Sequence, residues 1–541
     1  MIETIIKFLA GIGAFMMGFK ILSENMEKLA NKGLNKLFDK VGKNRFAGVG
    51  IGAFATALVQ SSAATTVLVV GLVNSGIIDL FQATTVIMGA NIGTTITAQI
   101  AALSSFDMSI YLLLLSFIGV FVNMVSKKDK GKTIGMAIAG MGLLFLGMQY
   151  MKNAMVGFSE SETISNTLES IKNPFLLLLF GAAATALVQS SAAITTIIIS
   201  MVAAGIMVGG SSGNGVLFVV LGTNIGTCVT ALISSIGTNA NARRSSLIHL
   251  LFNVFGSLLF TIILLIFPTF KANTFDVWFP GLPATQIAMF HTFFNVICTL
   301  IFLPFPGIFV KISKLLIKDK KAKKKPIELE FMDERMLQYP SVALGMLSKE
   351  ITNMSYKAIQ ALNLAVNSFF EKDDRRDEIE EINNSLTHTN AGVIEYLVKI
   401  AAKKISYSEE CIVSAYHHNL NDVLRIGEIA DNIAKYTQQR IKEDLEFSDS
   451  VIVEIGKMTE LINEMYKLVE ASFMARKKEL KPQIDRIEDT IDKMRADLIN
   501  GHLERLKVGK CQPQSSGVFI NLVNNLERAA DHLTYISESI E

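Results

Sequence analysis

The ten residues Ala55-Thr-Ala-Leu-Val-Gln-Ser-Ser-Ala-Ala64 recur without change at Ala184–Ala193 of this 541-residue chain. The two copies lie 129 residues apart, and the same offset aligns Gly11, Gly13 and Gly18 with Gly140, Gly142 and Gly147. Beyond each copy a second match follows: Gly89–Thr95 reads GANIGTT and Gly222–Cys228 reads GTNIGTC, at an offset of 133. Such self-similarity marks an internal duplication.

The surroundings of each copy say where the duplicated part resides. Hydrophobic residues make up 50% of the chain and charged residues 18%, against about 25% charged in soluble globular chains. The deficit is local. No Asp, Glu, Lys or Arg occurs from Pro174 to Ala242, and Phe46 to Ser126 holds only Asp79 and Asp107. From Lys318 onward charges are dense. The chain therefore reads as a membrane domain, 1–317, a basic linker, 318–330, and a soluble tail, 331–541. A net charge of +2 excludes a strongly basic nucleic-acid binder. Cys228, Cys298, Cys411 and Cys511 are far apart without CxxC spacing, which disfavours a disulfide framework or a cysteine metal site. The N-terminal apolar stretch lacks a convincing small-residue cleavage site and reads as a retained span.

A helix that crosses a bilayer needs about 20 apolar residues. Apolar segments fall at roughly 5–22, 46–76, 82–103, 108–125, 134–150, 174–207, 216–235, 246–267 and 284–310. Those at 46–76 and 174–207, which carry the repeated decapeptide, are too long for one span and polar in the middle. Each is expected to form two half-helices meeting at a break. Short cytoplasmic loops are enriched in Lys and Arg; here those are Lys28–Arg45, Lys127–Lys132, Arg243–Arg244 and Lys311–Lys325. The stretches 151–173 and 268–283 are poor in them and are expected outside. These assignments close only if both decapeptide segments are re-entrant hairpins. Repeat one, about 5–125, and repeat two, about 134–267, then carry three spans and a hairpin each. Three is odd, so the second copy is inverted, with 284–310 as an extra span. The expected fold class is an all-α polytopic membrane protein of two inverted repeats, plus a soluble pair of three-helix bundles. Inverted repeats with broken helices are common in secondary transporters.

Broken helices at membrane depth occur where they face protein or a water-filled cavity. The N-terminus of a half-helix offers free N–H groups and partial positive charge, which suits an anion. The hydroxyls of Ser61, Ser62, Ser190 and Ser191 can donate to an oxyanion, and the amides of Gln60 and Gln189 can donate or accept. Freed carbonyls, with Thr65, Thr66, Thr195 and Thr196, supply the neutral oxygens that a sodium ion takes; Asn91 and Asn224 are further candidates. The scarcity of ionisable side chains argues against a proton relay. The competing view of QSSAATT is close helix packing through small residues. His249 and His291 lie on apolar stretches and are expected to be buried, hydrogen-bonded residues.

Paired QSSA segments, each followed by NIGT, resemble the type II sodium–phosphate cotransporter family over about residues 10–310. The resemblance implies sodium-driven import of inorganic phosphate by alternating access at the paired QSS hairpins. It implies phosphate at Gln60, Ser61, Ser62, Gln189, Ser190 and Ser191. It implies sodium among Gln60, Ser62, Thr65, Thr66, Asn91, Gln189, Ser191, Thr195, Thr196 and Asn224.

The six lysines from Lys318 to Lys325 read as a cytoplasmic stop signal. After them, apolar residues at three- and four-residue spacing mark six amphipathic helices at roughly 334–370, 374–403, 408–442, 448–479, 482–508 and 515–540. Asp422–Ile433 and Asn525–Ile536 align at an offset of 103, which suggests two three-helix bundles. The tail resembles the PhoU family of phosphate-regulation proteins over most of 335–541. That family implies carboxylates four apart on one helix face for metal. Glu527 and Asp531 keep the pattern, while Glu428 and Asp431 stand in a first copy where Leu424 replaces a Glu. A divalent metal is thus a candidate cofactor, and a regulatory protein partner a candidate ligand of the tail.

No GxxxxGK[ST], HExxH or GxSxG motif points to an enzyme. The expected protein is multi-pass in the cell (inner or plasma) membrane, with its C-terminal domain cytoplasmic and an oligomer conceivable. Its partners are phosphate, sodium and the lipid bilayer, with no nucleic acid. The alternatives are sodium-coupled transport of another oxyanion such as sulfate, or a membrane-anchored phosphate sensor or scaffold without transport.

Overall fold

The computed structural model describes residues 2–38, 44–74, 76–103, 109–206, 208–209, 214–318, 332–403, 405, 407–475, 478–508 and 513–539. Asp107, Lys40, Lys43, Cys511 and the linker residues 319–330 lie outside them. The described residues are helical with no strand, in two compact units, Met1–Lys321 and Ala322–Glu541.

The first unit opens with α1 (Ile2–Phe38) and the broken pair α2 (Arg45–Val59) and α3 (Ser62–Asn74). There follow α4 (Leu80–Ala102), α5 (Ser109–Leu112), α6 (Leu114–Val125) and α7 (Asp129–Ser159). After the short α8 (Glu162–Ser170) comes the second broken pair, α9 (Pro174–Val188) and α10 (Ser191–Ala203). The unit continues with α11 (Gly215–Ser234), α12 (Ala240–Ile266), α13 (Phe270–Asn273), α14 (Phe275–Trp278), α15 (Pro283–Phe302) and α16 (Pro306–Leu316). Among the described residues, five helices are long and apolar enough to cross a membrane: Ile2–Ala30, Asp129–Ser159, Gly215–Ser234, Ala240–Ile266 and Pro283–Phe302. The protein is thus an all-α polytopic membrane protein.

Both long decapeptide segments break where the sequence is polar. At 15 and 13 residues, α2 and α3 are each too short to cross a bilayer alone, and α9 and α10 repeat those lengths. Asn44 and Asn173 cap the first half-helices alike, accepting from the N–H groups of the second and third residues that follow. Asp79, one of the two acids in the first repeat's apolar stretch, is the N-cap of α4 in a capping box with Gln82. The expected span at 108–125 is described from Ser109 as α5 and α6, joined through Leu113, which keeps helical dihedrals of φ −65° and ψ −29°.

The duplicated glycines show how the copies are arranged. A Cβ on Gly18 would fall 2.4 Å from Leu144 N and 2.7 Å from Gly140 O. One on Gly147 would fall 2.3 Å from Phe15 N and 2.7 Å from Gly11 O. Gly18 therefore meets Gly140, and Gly11 meets Gly147. Equivalent residues pair in reverse order, so α1 and α7 cross antiparallel at backbone contact. That is the arrangement of inverted copies, and the absence of side chains permits the approach.

The same relation governs the neighbouring helices. Gly89 and Gly93 of α4 abut Val49 O and Ala53 O of α2; Gly222 and Gly226 of α11 abut Leu178 O and Ala182 O of α9. Ser257 of α12 donates to Leu221 O on α11, and Thr299 of α15 donates to Met88 O on α4. Leu221 and Met88 are equivalent by the 133-residue offset. So α15, expected as an extra span, stands on α4 as α12 stands on α11. The two helices share a further pattern, His249-x-x-Phe252-Asn253 and His291-x-x-Phe294-Asn295, in which each Asn donates to the carbonyl of its His.

Among the described residues the second unit contains six long helices: α17 (Pro340–Glu371), α18 (Arg376–Ala401), α19 (Tyr407–Lys442), α20 (Asp449–Ala475), α21 (Lys481–Lys507) and α22 (Ser515–Glu538). They match the six amphipathic stretches and form two three-helix groups. Asn363 of α17 and Asn463 of α20 exchange amide hydrogen bonds at 2.8 and 2.9 Å. Buried Arg440 sits between the rings of Phe369 and Phe447, 4.9 and 5.1 Å from their centroids, and donates to Phe369 O.

Candidate functional site: a cavity between the two breaks

The chain reverses at each break through one residue. Gln60 and Gln189 take left-handed backbone conformations with φ 57° at both, and their N–H groups bond Thr56 O and Thr185 O. This conformation costs roughly 1–2 kcal/mol for a residue with a Cβ, yet both copies hold it. The next residue then caps the second half-helix. Ser61 Oγ accepts from Ala64 N at 3.1 Å, and Ser190 Oγ accepts from Ala193 N at 3.2 Å. A serine oxygen used as an acceptor keeps its own proton to donate. Each break thus offers a hydroxyl donor at the positive end of a half-helix.

The two breaks face one cavity of about 460 Å³. Gln60, Ser61, Ser62, Gln189, Ser190 and Ser191 all line it. Gln60 is buried and oriented: its Nε2 donates to Ala57 O at 2.5 Å and its Oε1 accepts from Thr97 Oγ1 at 3.1 Å. Gln189 is exposed.

The other expected site residues lie behind this wall. Asn91 and Asn224 are buried and donate to Ile87 O and Val220 O, one turn back on their own helices. From each NIGT it is the threonine, Thr94 or Thr227, that reaches the cavity. His291 Nε2 lies 3.4 Å from Asn224 Oδ1, and His249 is likewise buried. Thr65 and Thr66 donate to Ser61 O and Ser62 O. Their counterparts Thr195 and Thr196 are buried with hydroxyls lacking a hydrogen-bond partner among the described residues. So are Thr56 and Thr185. These belong to the repeated decapeptide but were not singled out there, because a threonine inside a half-helix looks like packing. Thr97, Phe15 and Lys20 also line the cavity or order its wall, and no local motif marks them.

The acidic residues of the tail do not converge as metal ligands. Among the described residues no group of three His, Cys, Asp or Glu side chains is placed to hold a metal. Glu428 is paired with Arg425 at 2.5 Å, and Asp431 with Lys435 at 2.8 Å. Glu527 lies 3.4 Å from Arg495. Burial and the neighbouring Asp531 hold the Glu527 carboxyl above its ordinary value; burial and Asp492 do the same to Asp531. Among the described residues the carboxylates expected to hold a divalent metal are thus engaged in ion pairs with Arg425, Lys435 and Arg495 or crowded by other carboxylates.

Comparison with known proteins agrees with this geometry. Residues 14–153 and 158–271 match the family model described as Na+/Pi-cotransporter, and residues 455–540 match the PhoU domain. YjbB of Escherichia coli (strain K12), named for inorganic phosphate export, is 24% identical over 409 residues, covering 75% of this chain and 73% of the relative. YqeW of Bacillus subtilis (strain 168), uncharacterized, is 28% identical over 318 residues, 58% of this chain and 99% of the relative. The mouse sodium-dependent phosphate transport protein 2A is 35% identical over 97 residues, 18% of this chain and 15% of the relative. The duplicated membrane part, over 14–271, thus has the sequence of the Na+/Pi-cotransporter family, a family of transporters and not of enzymes, and the helical tail, over 455–540, that of a PhoU domain.

Proposed function

We infer that this protein is a sodium-coupled symporter of inorganic phosphate, working by alternating access, with a PhoU domain that regulates it from the cytoplasm. The observation that carries the reading is the single cavity lined by both Gln-Ser-Ser breaks. Two half-helix N-termini and four serine hydroxyls address one anion from inverted copies of the same structure. The family and the relatives named for phosphate support the substrate. Buried hydroxyls without a hydrogen-bond partner among the described residues, at Thr195 and Thr196 in the turn after the second serine pair, supply neutral oxygens. These suit a sodium ion, whose charge would offset part of that of the anion.

Coupling also sets direction. A symporter moves phosphate the way the sodium gradient points, which in a cell is inward. A relative named for export does not share that expectation, so sodium dependence decides between them. Phosphate uptake into proteoliposomes of the full chain is measured with an inward sodium gradient, with equal sodium, and with the gradient reversed. Uptake that follows the gradient supports the reading. Phosphate flux indifferent to sodium leaves a phosphate carrier without coupling, and preferred sulfate uptake moves the substrate to another oxyanion. No flux leaves a sensor or scaffold.

A further inference from the structure

The cavity wall carries one charge among its described residues, and that charge breaks the repeat. Lys20 of α1 lines the cavity together with the serines of both breaks. Its ammonium lies 3.9 Å from Glu24, one turn on, and its side chain is 69% exposed, so the pairing is loose. By the 129-residue offset, Lys20 corresponds to Gln149 of α7 and Glu24 to Asn153. Those two residues make the matching contact, Gln149 Nε2 donating to Asn153 Oδ1 at 3.1 Å. The geometry is shared and only the charge differs.

The walls differ too. α1 contributes residues to the cavity, including Lys20, and α7 contributes none among the described lining residues. Ser23 of α1 donates to Val59 O at the first break, where Val59 is buried, whereas its counterpart Val188 at the second is 39% exposed. On the alternating-access reading above, the structure is the state with α1 against the cavity. Inverted symmetry makes the other state the one in which α7 takes that place, presenting Gln149.

We propose that Lys20 is the anion-attracting residue of the cavity and makes the two access states unequal in their affinity for phosphate. In the α1-lined state a mobile ammonium meets the anion opposite the serine hydroxyls. In the α7-lined state a neutral amide stands there. The asymmetry shifts the half-saturation on each side and leaves the equilibrium of coupled transport to the ion gradients. The inference rests on the phosphate-carrier reading above.

Right-side-out and inverted membrane vesicles containing the full chain test it, with phosphate flux measured at constant sodium. In the wild type the phosphate KM differs between the two polarities. Lys20→Gln raises the lower KM by roughly tenfold, the scale of one charge-assisted hydrogen bond, keeps the maximal rate, and brings the polarities together. Lys20→Arg restores the difference. Gln149→Lys lowers the higher KM, and serves also if Lys20→Gln fails to yield monodisperse protein. Because an exposed ammonium acts partly at long range, the lower wild-type KM rises with added choline chloride while that of Lys20→Gln does not. Wild-type flux with Lys20→Gln unchanged in both polarities overturns the proposal and spares the carrier reading. Absence of wild-type phosphate flux overturns both.

Discussion

Gln60 and Gln189 hold the same left-handed backbone conformation, φ 57° with ψ 22° and 24°, although 129 residues separate them. Each closes a 15-residue half-helix and hands the chain to a serine cap. A conformation disfavoured for side chains, repeated to within a few degrees, is held by the structure around it. Glycine would adopt it more readily; what glutamine adds at both breaks is an amide that lines the cavity.

Gln60→Gly and Gln189→Gly separate turn from chemistry. Glycine relieves the strained backbone and removes the amide. Gln189→Gly should melt at or slightly above the wild-type midpoint and Gln60→Gly below it, because the bonds to Ala57 O and Thr97 Oγ1 are lost, and both should lose sodium-dependent phosphate uptake by more than tenfold. Retained uptake would return the glutamines to a packing role.

Thr97→Val tests how Gln60 is oriented. The hydroxyl donates to Gln60 Oε1 in a buried setting, and valine keeps its shape. Loss of one such bond is worth about 1 kcal/mol, so KM for phosphate should rise about fivefold with the maximal rate little changed. An unaltered KM would show that Ala57 O alone holds the amide.

Gly147→Val tests the antiparallel crossing. Its Cβ would enter within 2.3 Å of Phe15 N, and no rotamer moves a backbone nitrogen. Separating α1 from α7 should cost about 3 kcal/mol, read as a lower melting midpoint in detergent. Gly13→Ala, where nothing lies within 4 Å of the new Cβ, should leave that midpoint unchanged.

The PhoU domain should lose stability as pH rises from the acid side. Burial, with Asp531 beside Glu527 and Asp492 beside Asp531, places both carboxyls above their ordinary values. Between the ordinary and the raised value the folded state binds more protons than the unfolded one. The contribution is therefore complete below the ordinary carboxylate range and lost as pH climbs through the raised values. Hydrogen exchange of α21 and α22 in the full chain, corrected for intrinsic rates, should be slower at pH 5 than at pH 7. Asp531→Asn should flatten that difference, and an undiminished difference in the variant would exclude this carboxyl as its source.

Local patterns proved readable wherever a signal is contiguous. The two breaks, their serines and the six tail helices follow from repeated strings and helical spacing, since backbone conformation responds to near neighbours. Signals shared between distant segments were harder. The likeness of α12 and α15 rests on scattered identities, His249/His291, Phe252/Phe294, Asn253/Asn295 and Val254/Val296 among them, at a spacing of 42 that differs from the offsets of the other repeats. The tail acids look like ligands along one helix face. Across helices, Arg495 of α21 reaches Glu527 of α22, and Arg376 of α18 approaches Asp431 of α19.

From the residue string alone came the duplication, the polar breaks in overlong apolar segments, the serine and glutamine donors, and the division between membrane part and helical tail. Packing decided the rest. Reversed glycine contacts turned two copies into an antiparallel pair, α15 took the place opposite α12, and Lys20 came to stand among serines 41 and 170 residues away. A repeated string specifies a repeated local backbone. Which repeat faces which, and what charge stands between them, depends on close contacts between residues far apart in the chain.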